Sequence, residues 1–244
     1  MGTDPAAAGT AGTGHGAPRT VLLVNPNTNE RTTEMMRSLA EAELAPSGLA
    51  VEGLTAASGP AMIVDPEALA ASLPHVVDAV RRRVAADAGE VAAVVVAAIG
   101  DPGRAELEEE LAPRGIPVVG IGQASVLAAS RGGRPFGMAT STGLLVDSLR
   151  DLAAEHGGGT AFTGVQLTTS PPLELAADPE RQFMELADAV RACAAAGAEA
   201  VVIAGGPLSA TARRLAGEGI AEIVEPIPSA CALVLGRISE AATT

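Results

Sequence analysis

Residues able to do chemistry gather at the ends of a few apolar runs. Val94-Val95-Val96-Ala97-Ala98-Ile99 stops at Gly100-Asp101-Pro102-Gly103, and Val201-Val202-Ile203-Ala204 stops at Gly205-Gly206-Pro207-Leu208. Asp101 is the strongest ionisable candidate for acid or base work, in a loop that opens off a strand. An Asp between Gly and Pro is equally at home in a plain turn. The Gly205-Gly206 pair lets backbone approach a ligand closely, so its amides are candidate oxyanion donors or simply a tight turn. Uncharged groups supply a candidate binding shell: Asn27, Ser58, Thr140, Ser141 and Thr142 lie at or near strand ends, and Gln123 is a further hydrogen-bond donor. Helix N-termini behind such clusters favour an anion. Ser, Thr and Asn also cap helices, and that reading competes at each position.

The remaining reactive side chains are less promising. His75 follows Pro74 inside a helical stretch whose apolar face is taken by its neighbours, so it reads as a surface residue. Glu225, closing the last strand, is a weaker acid/base candidate. Cys193 and Cys231 form neither a metal-ligand spacing nor a disulfide framework. Both read as small buried hydrophobes, with Cys231 the nearer of the two to a strand end.

Alternating strands and helices must position these residues. The pattern predicts strands at 21–24, 49–54, 92–98 and 117–121, with helices at about 32–45, about 66–86 and from Arg104. Leu69, Leu73, Val76, Val77 and Val80 give the second helix its apolar face. The scheme then restarts. Strands are predicted at 136–139, 161–167, 200–204 and 223–224, and helices at about 143–155, about 179–196 and about 229–241. Val94 corresponds to Val201 and Val118 to Val224, so the second half repeats the first. Such alternation implies parallel βαβ units, here in two similar lobes with a shared cleft. The expected divisions are a disordered tail at 1–18, lobes at 19–127 and 128–227, and a terminal helix at 228–244 packing back on the first lobe.

Composition narrows the partners. Of 244 residues, 48% are hydrophobic and only 1% aromatic, so the core is aliphatic and the composition argues against stacking platforms for bases. A net charge of −13 repels nucleic acid and anionic membranes. An anionic small substrate must therefore find local donors. No apolar run reaches the ~18 residues of a membrane span. The first 18 residues lack the basic start and apolar core of a signal peptide. With no disulfide framework, a cytoplasmic location is expected.

Several of these stretches, taken together, resemble the aspartate/glutamate racemase superfamily and its hydantoin racemase branch. They are Val24-Asn25-Pro26-Asn27-Thr28, Ser58-Gly59-Pro60, Gly100-Asp101-Pro102-Gly103, Pro117-Val118-Val119-Gly120-Ile121-Gly122 and Ala139-Thr140-Ser141-Thr142. The resemblance implies two pseudo-symmetric flavodoxin-like α/β lobes with parallel sheets and a cofactor-independent, metal-free site between them. In the family one cysteine from each lobe flanks the substrate's α-carbon, one removing a proton and the other returning one. Here those positions fall on Ala98 and Gly205, and neither neighbour of either is a cysteine. The resemblance therefore implies the family's carboxylate-binding shell without its two-thiol chemistry, and a pocket enlarged at Ala98 and Gly205.

Two readings follow. The first is an enzyme acting on a small carboxylate-bearing or cyclic-amide molecule by lyase, decarboxylase, cyclase or isomerase chemistry with oxyanion stabilisation, assembled as a homo-oligomer. The second is a non-catalytic binding protein, or a racemase with a non-cysteine base.

Overall fold

The computed structural model describes residues 19–87, 90–241 and 243; the tail expected at 1–18 lies outside the described residues. The first lobe contains β1 (Thr20–Asn25), α1 (Glu30–Leu44), β2 (Ala50–Thr55), α2 (Pro66–Ala86), β3 (Val91–Val96), α3 (Arg104–Leu111) and β4 (Val118–Gly120). Then α4 (Ile121–Ala129) leads to the second lobe. This has β5 (Phe136–Thr140), α5 (Val146–Glu155), β6 (Phe162–Leu167), α6 (Pro172–Ala177), α7 (Pro179–Ala195), β7 (Ala200–Ile203), α8 (Ser209–Ala216) and β8 (Glu222–Val224). The final helix is α9 (Pro226–Ala241).

Each lobe holds a four-stranded parallel sheet, in the orders β2-β1-β3-β4 and β6-β5-β7-β8. The two orders are the same arrangement repeated. In both, the chain reverses direction of winding between the two central strands, where open α/β sheets bind ligands beyond the strands' carboxyl ends. In register, Val24 lies between Leu54 and Val96, and Met138 between Val165 and Val202. The central strands β3 and β7 are apolar throughout because helices cover both faces, and every residue of β3 is buried.

The largest core cluster joins the lobes. Val21 and Leu23 of β1, Met36 of α1, Val126 of α4, Met138 of β5, Val202 of β7 and Val234 of α9 belong to one contiguous set. Helix α9 packs against α1 and α4 and reaches β3 and β4. Separate clusters fill the outer side of each lobe.

Three local features differ from the sequence expectation. The fourth strand ends at Gly120, and residues 121–129 form α4. Its side chains from Ile121 to Val126 are all buried, so no amphipathic period marks it. A short helix, α6, begins at the Pro171-Pro172 pair. The side chain that caps α1 is Asn29, accepting from the Arg31 and Thr32 N–H groups, which leaves Asn27 free of that task.

Candidate functional site

The carboxyl ends of β1, β3, β5 and β7 converge on one cleft between the lobes. Asn27, Ala98, Thr140, Ser141, Thr142, Gly205 and Gly206 all line it. The lobes touch at its floor: a Cβ on Gly206 would lie 2.9 Å from the Ala97 carbonyl oxygen and 3.0 Å from Met36 Sδ. About 60 Å³ is free to the centres of water-sized molecules, several times what one water needs. The cleft therefore suits a small organic molecule.

The strand-end side is built from uncharged polar side chains and backbone N–H groups. Asn27 Oδ1 accepts from Asn25 Nδ2 (2.9 Å) and from the Asn29 N–H (2.9 Å). That fixes the amide's orientation and leaves Asn27 Nδ2 without a partner among the described residues. Thr140 Oγ1 donates to the Ala204 carbonyl (2.7 Å), tying β5 to β7. Its proton being spent, Thr140 accepts from Thr142 Oγ1 (2.9 Å) and from the Thr142 N–H (3.3 Å). Thr142 so keeps its oxygen lone pairs for a ligand. The backbone N–H groups of Ala98, Ile99 and Ser141 have no hydrogen-bond partner among the described residues. Such N–H groups at strand ends are ready donors to a ligand oxygen. None of Asn27, Thr140 and Thr142 acts as a helix cap by its side chain.

The opposite wall is apolar. Met62 and Ile63 come from the loop before α2, Leu69 from α2, Leu145 and Leu149 from the second lobe, and Pro172 from the start of α6. The Thr28 N–H bonds the Pro60 carbonyl (3.1 Å), which clips this loop to the end of β1. Gln182 of α7 adds one polar group. Its Oε1 accepts from Thr211 Oγ1 (2.6 Å), so its NH₂ is the group left to donate. No Asp, Glu, His, Lys, Arg or Cys side chain lines the cleft among the described residues.

The sequence model of the Asp/Glu/hydantoin racemase family matches residues 21–234. The chain belongs to that family. A hydantoin racemase from Paenarthrobacter aurescens is 25% identical over 212 residues, covering 86% of this chain and 87% of that one. Among solved structures, an allantoin racemase from Pseudomonas fluorescens superposes with a TM-score of 0.81 at 23% identity, over 91% of each chain. An unliganded arylmalonate decarboxylase superposes at 0.56 with 18% identity, over 90% of this chain and 92% of that one. The two sheets with their shared cleft are thus the racemase family's two-lobed fold.

Both thiols of this racemase-family chain lie outside the cleft. Cys193 packs in the second lobe's outer core and Cys231 between α9 and α1. Burial pushes the Cys193 thiol up to about 11 and the Cys231 thiol up to about 12, so both stay protonated and inert.

Asp101 does not line the cleft either. Its carboxylate turns to the other side of the β3 end and accepts from the Gly122 N–H (2.8 Å) and the Gln123 N–H (2.6 Å), the first turn of α4. Burial pushes this carboxyl up to about 7, against the pull of those two N–H donors and of Arg104. Gln123 is buried on α4 with its Oε1 unpartnered, and it too is absent from the cleft lining. Ser58 is exposed and bonds His75 Nδ1 (3.3 Å) on the outer surface. Glu225 is held by Arg213 (2.6 Å), away from the cleft. The Gly205 N–H folds back onto the Ile203 carbonyl (3.1 Å), so it is not an available oxyanion donor. The donors found instead, Ala98 N–H, Ile99 N–H and Ser141 N–H, are backbone groups that carry no residue-type signal. Gln182 had one: it continues the buried stripe of Leu186, Ala189 and Cys193 at helical spacing, as a polar residue where an apolar one would be ordinary.

Proposed function

We propose that the chain binds a small metabolite with a carbonyl-rich head, a carboxylate or a hydantoin-type cyclic amide, joined to an apolar body. It turns this molecule over by stabilising negative charge on oxygen, without proton transfer by its own side chains. The observation that carries the reading is the lining itself: neutral donors at the strand ends, an apolar wall opposite, and no ionisable side chain among the described residues. Two-sided proton transfer needs an acid and a base in contact with the substrate. Fixed N–H donors need neither and are worth most where charge develops on oxygen.

A decarboxylation has the required form. The C–C bond to a carboxylate breaks, CO2 leaves, and the bonding pair passes into an adjacent carbonyl. The enolate oxygen so formed is held by the Ala98, Ile99 and Ser141 N–H groups, and a solvent water then protonates the carbon and leaves hydroxide. The arylmalonate decarboxylase that shares the fold is, by name, an enzyme that removes a carboxyl group. Ala98 and Gly205, where the resemblance puts the family's thiols, both line the cleft and leave room for the apolar body. A non-catalytic binding protein is the second reading, favoured by the same lack of an acid or base.

NMR in deuterated water tests these readings, with aspartate, glutamate, allantoin, a 5-substituted hydantoin and phenylmalonate as probes. The expected result is no enzymic α-proton exchange in the first four and release of CO2 from phenylmalonate. Binding with no turnover of any probe would favour the binding protein. Enzymic α-exchange would sink the proposal.

A further inference from the structure

The Gly100–Gly103 turn follows directly on Ala98 and Ile99, which line the cleft and whose N–H groups have no hydrogen-bond partner among the described residues. It is held in a costly conformation. Asp101 has φ of 48°, the one non-glycine residue with positive φ among the described residues. Backbone of this kind persists only when surrounding bonds over-determine it. The bonds here come from α4. That helix starts at Gly120 with no capping side chain of its own, and the Asp101 carboxylate supplies the missing cap from another segment, satisfying the Gly122 and Gln123 N–H groups. Helix α4 in turn packs on α9, α5 and β7, the elements that join the lobes.

We propose that Asp101 is a positioning residue: by gripping the first turn of α4 it fixes the Gly100–Gly103 turn and thereby sets the Ala98 and Ile99 N–H donors in the cleft. The inference rests on the cleft being the ligand site. It extends to the substrate's oxygen, which meets donors placed by a carboxylate that never touches it. Ionised, Asp101 accepts both N–H groups; protonated, one oxygen becomes a donor and one bond is lost.

A cavity of about 210 Å³ behind the turn is lined in part by Asp101. The charged groups around it are Arg104, which bonds Glu108 (2.6 Å) and Glu155 (3.0 Å), together with Glu106 and His156. Arg104 favours the ionised carboxylate and Glu155 the protonated form. His156, whose Nε2 is buried without a hydrogen bond, lies across from Asp101 on the second lobe. Burial holds its pKa below the ordinary value, against the pull of Glu155.

Proton–nitrogen correlation spectra of the whole protein and of Asp101→Asn, between about pH 5 and about pH 9, test the proposal without any ligand. The Gly122 and Gln123 amides should titrate with a midpoint near 7 in the parent and not in the variant. The Ala98 and Ile99 amides should follow the same midpoint and be displaced in the variant. Allantoin affinity should rise about tenfold through that midpoint in the parent and stay low and flat in the variant, as loss of about one hydrogen bond to a ligand oxygen would give. If Gly122 and Gln123 respond while Ala98 and Ile99 do not, Asp101 is only a helix cap and the proposal is overturned. If allantoin binds neither protein, the ligand reading fails, and the four amides still decide the role of Asp101. Should the variant not fold, the parent's own titration carries the same decision.

Discussion

The carboxylate of Asp101 fills the space that a side chain on Gly120 would need. A Cβ on Gly120 would overlap the carboxyl carbon, and one on Gly122 would lie 3.0 Å from Asp101 Oδ2. Two stretches far apart in sequence, Gly100–Gly103 and Gly120–Gly122, are therefore one physical unit: a carboxylate and its glycine cradle. Gly120→Ala should destabilise the fold by about 1–3 kcal/mol through overpacking, with the lost cap adding about 1 kcal/mol. Urea denaturation measures this. In the double variant Gly120→Ala/Asp101→Ala the clash has no partner, so its cost should fall clearly below the sum of the two single changes. Strict additivity would mean the two residues are not coupled.

The same unit explains what was legible in the sequence. The two sheets were readable because runs such as 91–96 and 200–203 are apolar throughout and are punctuated by helices. Helix α4 was not. Its residues from Ile121 to Val126 are all buried and its cap comes from Asp101, so it shows neither a clear period nor a local start signal. In the cleft lining, Asn27, Thr140, Ser141, Thr142, Gly205 and Gly206 were legible from strand-end position, and Ala98 from the family resemblance. Asp101 was identifiable as a loop carboxylate, yet which side of the strand end it faces depends on the packing of α4. Met62 and Ile63 arrive on a loop and Pro172 at the start of α6, segments whose approach to the cleft is set by packing between parts distant in sequence.

Adjacent glycines at the second strand end should respond unequally. Gly205 has φ of 166°, extended backbone open to any residue, and a Cβ there meets only the end of the Leu208 side chain at 3.1 Å. A Cβ on Gly206 meets the Ala97 backbone carbonyl, which cannot step aside. Gly206→Ala should cost about 1–3 kcal/mol of stability and Gly205→Ala less than about 1 kcal/mol. Gly205→Cys should fold and should lower ligand affinity by filling the cleft. Equal stability losses at the two positions would contradict the contact between lobes.

Thr140 and Asn27 divide stability from binding. Thr140→Val leaves the buried Ala204 carbonyl without its donor and should cost about 1–3 kcal/mol in denaturation. Asn27→Ala removes the unpartnered NH₂ from the cleft together with the Oδ1 that accepts from Asn25 and Asn29, so it costs some stability too. It should weaken binding of the carbonyl-rich ligand by about 1–3 kcal/mol in calorimetry, beyond what any loss of folded protein explains. A reversed pattern would return Asn27 to a purely structural role.

Both cysteines should be silent in the folded protein. With pKa values pushed up to about 11 and about 12 by burial, neither Cys193 nor Cys231 offers thiolate at neutral pH. A thiol-reactive chromophore should report no fast reaction in native conditions and two thiols in denaturant. Fast native labelling at either position would show that its packing opens.

Stability against pH gives Asp101 a signature of definite sign. Its carboxyl rises from an ordinary 3.8 to about 7 on folding, burial being the main cause. Between those values the folded chain holds a proton that the unfolded chain has released, so this group's contribution to stability falls as pH rises from about 4 to about 7. One proton sets a limit of about 1.4 kcal/mol per pH unit. His156 works the other way, because burial keeps it neutral in the folded chain at acid pH where the unfolded chain carries its proton. The two partly cancel in the raw curve. Denaturation of the parent and of Asp101→Asn at a series of pH values removes the shared His156 contribution. The difference, parent minus variant, should decline between about pH 4 and about pH 7 and be level on either side. Whatever the amide substitution costs the α4 cap only offsets the curve, since Asn does not titrate. A difference that climbs with pH would mean that the Gly122 and Gln123 N–H groups outweigh burial, leaving Asp101 ionised throughout the range in which the protein is folded.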